Sequence, residues 1–74
     1  RHLADGELAA ARRVAARGRT VDPADERIWR AALSIELEAG DAAAQRRLIG
    51  QLVRIVGPDD LEDETGALVA EAQS

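Results

Sequence analysis

The sequence predicts an all-α protein, a short right-handed stack of antiparallel helical hairpins with about four helices, and three observations predict it. Apolar residues recur at spacings of three and four nearly everywhere, and no stretch alternates with period two as a half-buried strand would. Asp, Gly and Pro punctuate the chain at Asp22 and Pro23, at Gly40 and Asp41, and at Gly57 and Pro58, and the short loops this leaves favour antiparallel neighbours. Finally, GELAAARRV (residues 6–14) matches GDAAAQRRL (residues 40–48) at an offset of 34, with identity at Gly6/Gly40, Ala9/Ala43, Ala10/Ala44, Arg12/Arg46 and Arg13/Arg47. Self-similarity at such a period marks an array of helical hairpins.

The first helix is expected over residues 8–17, with Leu8, Ala11, Val14, Ala15 and, at its end, Gly18 on one face and Arg12, Arg13 and Arg17 toward solvent. Gly18, Arg19 and Thr20 are expected to end it. The second begins near Asp25, where Asp22 or Asp25 can accept from unpaired N–H groups and Glu26 sits at the positive end of the helix dipole. Its apolar face is Ile28, Trp29, Ala32, Leu33 and Leu37, and Gly40 closes it because glycine tolerates a left-handed conformation. Asp41 caps the third, which buries Ala44, Leu48, Ile49, Leu52, Val53 and Val56 and stops at Gly57. Residues 59–64 start a last helix running to about Ala72, with Leu61, Leu68, Val69 and Ala72 as its apolar contribution.

Composition narrows the functions available. Of the 74 residues sixteen are alanine, while Phe, Tyr, Met and Cys are absent, so the core must be thin and its helices close. Without cysteine there is neither a disulfide framework nor a thiolate zinc site, and His2 alone gives a metal no second imidazole. The expectation is no cofactor, no metal and no catalytic residue: Ser34, Thr20 and Thr65 have no histidine at a motif spacing, and carboxylates such as Glu36 and Glu38 would need a cleft that so small a chain can hardly provide. No apolar run approaches the ~20 residues of a membrane span, and neither end reads as a signal peptide, so a soluble, cytoplasmic fragment is expected. Residues 1–57 carry ten arginines against eight acids, whereas residues 58–74 carry six acids and no base.

The offset of 34 is the tetratricopeptide period, and the single aromatic residue falls in its register. In that pattern a large residue lies six positions after a proline, a glycine eleven after that and a small residue five further on. Pro23, Trp29 and Gly40 match the first three, and upstream Gly6, Ala11, Ala15 and Gly18 fit the second half of a preceding repeat. Trp29 is therefore expected as a packing wedge within a hairpin, with Leu33, Leu48 and Leu52 around it. The pattern is degenerate. Leu33 and Gln45 stand where small residues are usual, and Glu36 stands at an aromatic lining position, which argues against a generic peptide groove but not against stacking.

Asp22, Pro23, Asp25, Glu26 and Trp29, then Ala39, Gly40 and Asp41, then Leu61, Glu62, Glu64, Thr65, Ala67 and Leu68 together resemble the bacterial transcriptional activator domain, at matching spacing and across the chain from Gly6 onward. Asp63 replaces the proline usual in that last segment, and residues 42–52 lack the Ala-x-x-x-Tyr of many members. The resemblance implies a tetratricopeptide-like module at the C-terminal end of a larger actinobacterial protein, with residues 1–74 as one domain lacking the helices that would precede Leu3. It implies a protein partner, either a second copy or other domains of the parent chain, and a role in transcription regulation or, alternatively, at the end of a membrane- or envelope-associated protein with a LysM-type module. A truncated stack leaves apolar edges, for which Leu3, Leu8, Val69 and Ala72 are the candidates.

Two charged features remain. The acids of residues 59–64 lack the ligand alternation and central glycine of a calcium loop, and helix capping accounts for them. The pairs Arg12 and Arg13, Arg46 and Arg47 repeat at the 34-residue period, so they are expected on equivalent faces of successive hairpins as a candidate partner-binding surface, with Arg17 and Arg19 beside the first pair. Net charge of −4 and the absence of stacking aromatics argue against direct nucleic-acid binding by them.

Overall fold

A computed structural model describes residues 5–73, and among them the chain is a stack of four helices: α1 (Asp5–Val21), α2 (Glu26–Ala39), α3 (Ala42–Val56) and α4 (Asp63–Ala72). His2 and Leu3 lie outside the described residues.

α2 is the organising element: it packs against each of the other three helices, while α1 packs on neither α3 nor α4. Its boundaries follow from local chemistry. Asp25, in extended conformation, accepts a hydrogen bond at 3.0 Å from the Arg27 N–H, and Gly40 at φ 69° donates its N–H back to the carbonyls of Glu36 and Leu37. Asp41 repeats the device one residue later, accepting from the Ala44 N–H at 3.0 Å to start α3. α3 ends at Gly57, whose φ of 94° again needs glycine.

The core is small and lies along α2: Trp29, Ala32 and Leu33 with Ala15 from α1 and Leu48 and Leu52 from α3. Of the six residues expected to hold the hairpin, Trp29, Leu33, Leu48 and Leu52 are buried and Gly40 is the α2 cap; Pro23 is exposed but bonded. The indole Nε1–H of Trp29 donates to the Pro23 carbonyl at 2.7 Å, so the six-residue spacing pins the entry of α2 as well as filling a gap. Arg19 lies over the ring, 5.2 Å from its centroid.

Three expectations are corrected. Gly18 does not end α1, which continues to Val21: Thr20 Oγ1 donates to the Ala16 carbonyl, and the chain turns only at Asp22 and Pro23, where proline disfavours a helical predecessor. What Gly18 supplies is room, because a Cβ there would lie 2.9 Å from Ile28 Cγ2 of α2. Val14, expected on the apolar inner face, is 73% exposed, and Ala15 is the buried residue of α1. α4 starts at Asp63, within the stretch expected to begin it, but not by side-chain capping: its N-cap residue Glu62 makes no side-chain cap hydrogen bond.

The acids there act instead on α2. Arg30 Nη1 donates to Glu62 Oε1 at 2.8 Å and to Thr65 Oγ1 at 2.9 Å, Glu64 lies 3.8 Å from Nη2, and the Glu62 N–H donates to Glu26 Oε1. Thr65, 1% exposed, is thus the polar pin that seats α4.

Candidate interaction site

α1 and α3 stand on either side of α2 without packing on each other, and between them runs a cleft of about 370 Å³. Ala15, Ala32, Ala44 and Leu48 form its buried floor, Arg12 and Arg19 rise from α1, and Arg47 and Gln51 rise from α3. The cleft exists because the floor is mostly alanine; larger side chains would close it.

Arg12 is held at one end of the cleft. Its Nε and Nη2 donate to Glu36 Oε2 and Oε1 at 2.9 and 2.6 Å, a two-pronged pair, and Nη2 also lies 3.6 Å from Asp41 Oδ2. The hydrogen bond to Glu36 is the main cause of an Arg12 pKa raised above its ordinary value. One guanidinium therefore ties α1 to the last turn of α2 and to the cap of α3. Gln45 completes this knot by donating Nε2–H to the Glu36 carbonyl at 3.0 Å. The two polar departures from the repeat pattern, Glu36 and Gln45, are both buried, and together with Arg12 they form a polar clamp in place of aromatic and small packing.

The four arginines expected to share a surface are distributed over several. Arg12 and Arg47 face the same cleft, but Arg12 is occupied by Glu36. Arg13 borders a separate depression on α1 with Val14 and Arg17, and Arg46 borders one with Ile49 and Ala72. The reason is helical geometry: residues adjacent in sequence point about 100° apart, so an Arg-Arg pair cannot line one groove. Gln51 belongs to the cleft with no signal in the sequence, and nothing there separates Arg19 from Arg17; only knowledge of which helices flank α2 selects the two.

A second surface lies on the adjacent face of α1, with Ala15 bordering both. Ala11, Val14, Gly18, Ile28, Ala31 and Ile35 line an open apolar groove of about 620 Å³ between α1 and α2, with the ion pair of Asp25 and Arg27 at its end. The expected edge residues Leu8, Val69 and Ala72 are half-buried, the latter two against the core; among the described residues the exposed large apolar side chains are Val14, Val21 and Ile55.

The 34-residue register gives this groove a meaning. Val14 is equivalent to Leu48, which is buried against α2, and Ala31 and Ile35 are equivalent to Thr65 and Val69, with which α4 packs on the core. Both walls of the groove are thus positions that elsewhere in the chain meet a neighbouring helix.

Among the described residues no group of three or more acidic or histidine side chains is placed to hold a metal, and no helix is long and apolar enough to cross a membrane. No protein-family model, curated protein or solved structure matches the chain.

Proposed function

We propose that the chain is a non-enzymatic protein-interaction module of tetratricopeptide type, one that works by accepting a further helix of α2 character into the groove between α1 and α2. The observation that carries this is the contrast between repeat-equivalent residues, Leu48 at 9% exposure and Val14 at 73%. A solenoid repeat contacts its neighbours and leaves the same face bare where a neighbour is absent. Burying a side chain such as valine stabilises an interface by roughly 1.5 kcal/mol, which gives the groove a driving force without any directed chemistry. The resemblance to the bacterial transcriptional activator domain supports a regulatory setting, in which helix docking would couple this module to its parent chain.

The test uses a synthetic peptide of the α2 sequence, ERIWRAALSIELEA, added to the isotope-labelled 74-residue chain. Amide and methyl shifts are expected to cluster at Ala11, Val14, Ile28 and Ile35, and Val14→Asp should abolish them while leaving the far-UV spectrum intact. Shifts scattered over the surface, or none at millimolar peptide, would sink the reading.

A further inference from the structure

We propose that the cleft between α1 and α3 binds the carboxylate side chains of an acidic protein segment, gripped between Arg19 on one wall and Arg47 on the other. This goes beyond the apolar groove, which lies on the adjacent face of α1 beyond Ala15 and would take a different part of a partner.

The cleft holds three guanidinium groups against two carboxylates, Glu36 and Asp41, and both carboxylates lie at the Arg12 end. Neither Arg19 nor Arg47 makes an ion pair with a described residue. Helix geometry sets the two level with each other. α1 runs antiparallel to α2, as the contacts of Arg12 with Glu36 and Gly18 with Ile28 require, and α3 returns along α2 after the turn at Gly40 and Asp41, with Gln45 on Glu36, so α1 and α3 run in the same sense. Starting from the Arg12–Asp41 contact, Arg19 lies ~10 Å further along α1 and Arg47 ~9 Å further along α3. They face each other across an alanine floor, with Gln51 one turn on as an amide donor.

Arg19 is also steadied in place by the face of Trp29, at 5.2 Å, which lowers the entropy lost when it grips a ligand. The chain itself demonstrates the chemistry elsewhere: Arg30, on the same helical stack, holds Glu62 at 2.8 Å and Glu64 at 3.8 Å from an acidic segment.

Charge and shape select a protein carboxylate over nucleic acid. Glu36 and Asp41 close one end of the cleft against a continuous polyanion, the chain carries a net charge of −4, and its one aromatic ring is 3% exposed and offers no face to a base.

The probe is the synthetic heptapeptide DDLEDET, the sequence of residues 59–65, titrated into the 74-residue chain at low ionic strength. Binding is followed by calorimetry and by Trp29 emission, which should change as a carboxylate pairs with the Arg19 guanidinium that covers the ring. Saturable binding that weakens with salt is expected, with Arg47→Gln and Arg19→Gln each costing roughly tenfold in affinity, the loss of one charge-assisted hydrogen bond. Arg13→Gln and Arg46→Gln, exposed and outside the cleft, should stay within about twofold of the parent. Thermal melts of all four variants separate lost binding from lost fold, and Arg47, at the surface, leaves at least one variant that folds. Equal weakening by all four variants would mean diffuse charge attraction and overturn the site. So would an absence of saturable binding, or displacement of the peptide by duplex DNA at equal phosphate concentration. Val14→Asp should leave peptide affinity unchanged, so the cleft and the apolar groove stand or fall separately.

Discussion

Val14 and Leu48 occupy the same place in two copies of one nine-residue pattern, and one is open to solvent while the other is core. Everything local is shared between them: helical backbone, the Ala-rich run before them, the arginine pair beside them. The difference is the neighbour. α3 has α2 on the face that carries Leu48, and α1 has nothing among the described residues on the face that carries Val14. In a stack, burial is a property of the pair of helices and not of the sequence that enters it.

The largest expected consequence lies in core truncation. Leu52, 2% exposed, should cost ~3 kcal/mol as Leu52→Ala, from lost transfer energy and an unfilled cavity in a core too small to collapse around it. Val14→Ala should stay within about 0.5 kcal/mol, as surface changes do. Urea unfolding followed by Trp29 emission measures both. A Val14→Ala loss comparable to that of Leu52→Ala would mean that the α1 face is covered in solution, and the comparison would break.

A sharper test uses one substitution at two glycines. Gly50 is in the middle of α3 with open space around its would-be Cβ, so Gly50→Ala should stabilise by about 1 kcal/mol through helix propensity alone. At Gly18 the same methyl would meet Ile28 Cγ2 at 2.9 Å and Cδ1 at 3.2 Å, and overpacking should exceed the propensity gain to leave a net loss of about 1 kcal/mol. Opposite signs would establish that α1 and α2 approach as closely in solution as the structure has them. A stabilising Gly18→Ala would mean that the two helices can part, and that the groove beside them is deformable.

Much of this architecture is legible from residues alone, and where it is not, the reason is specific. α2 and α3 are readable at both ends because aspartate caps and glycine stops act within one turn. The end of α1 is misread because Gly18 looks like a stop, whereas the repeat register, in which it fits a small position, is the signal that matters: it makes room for Ile28. Val14 is misread as internal because periodicity identifies a stripe without saying whether anything covers it. The cleft is only half visible: Arg47 and Arg12 are marked by the repeat, but Arg19 and Gln51 join them only once α1 and α3 are known to flank α2. Glu36 and Gln45 stand out as departures from the pattern, but the pairing of the Glu36 carboxylate with Arg12 and of its carbonyl with Gln45 requires three helices to be in place.

The smallest expected effect concerns the residue at the end of the open groove. Asp25 caps α2 and also accepts from Arg27 Nε at 3.1 Å and Nη2 at 2.9 Å, and the bonds from the Arg27 side chain are the main reason its carboxyl is held below the ordinary value of 3.8. Because the folded-state pKa is the lower one, protonation favours the unfolded chain. The stabilisation is present in full above the ordinary carboxylate pKa and is lost as pH falls through the folded-state value. An Asp25→Asn variant would keep a capping oxygen but carry no charge. Thermal melts of the two proteins from neutral pH to about pH 2 should therefore show the parent ahead at neutral pH and the gap closing in acid. High salt should narrow the gap as well, since Arg27 is exposed. A gap independent of both pH and salt would assign the effect to cap geometry, and the open side of the molecule would then hold its helix start by the same neutral hydrogen bonding available to any N-cap.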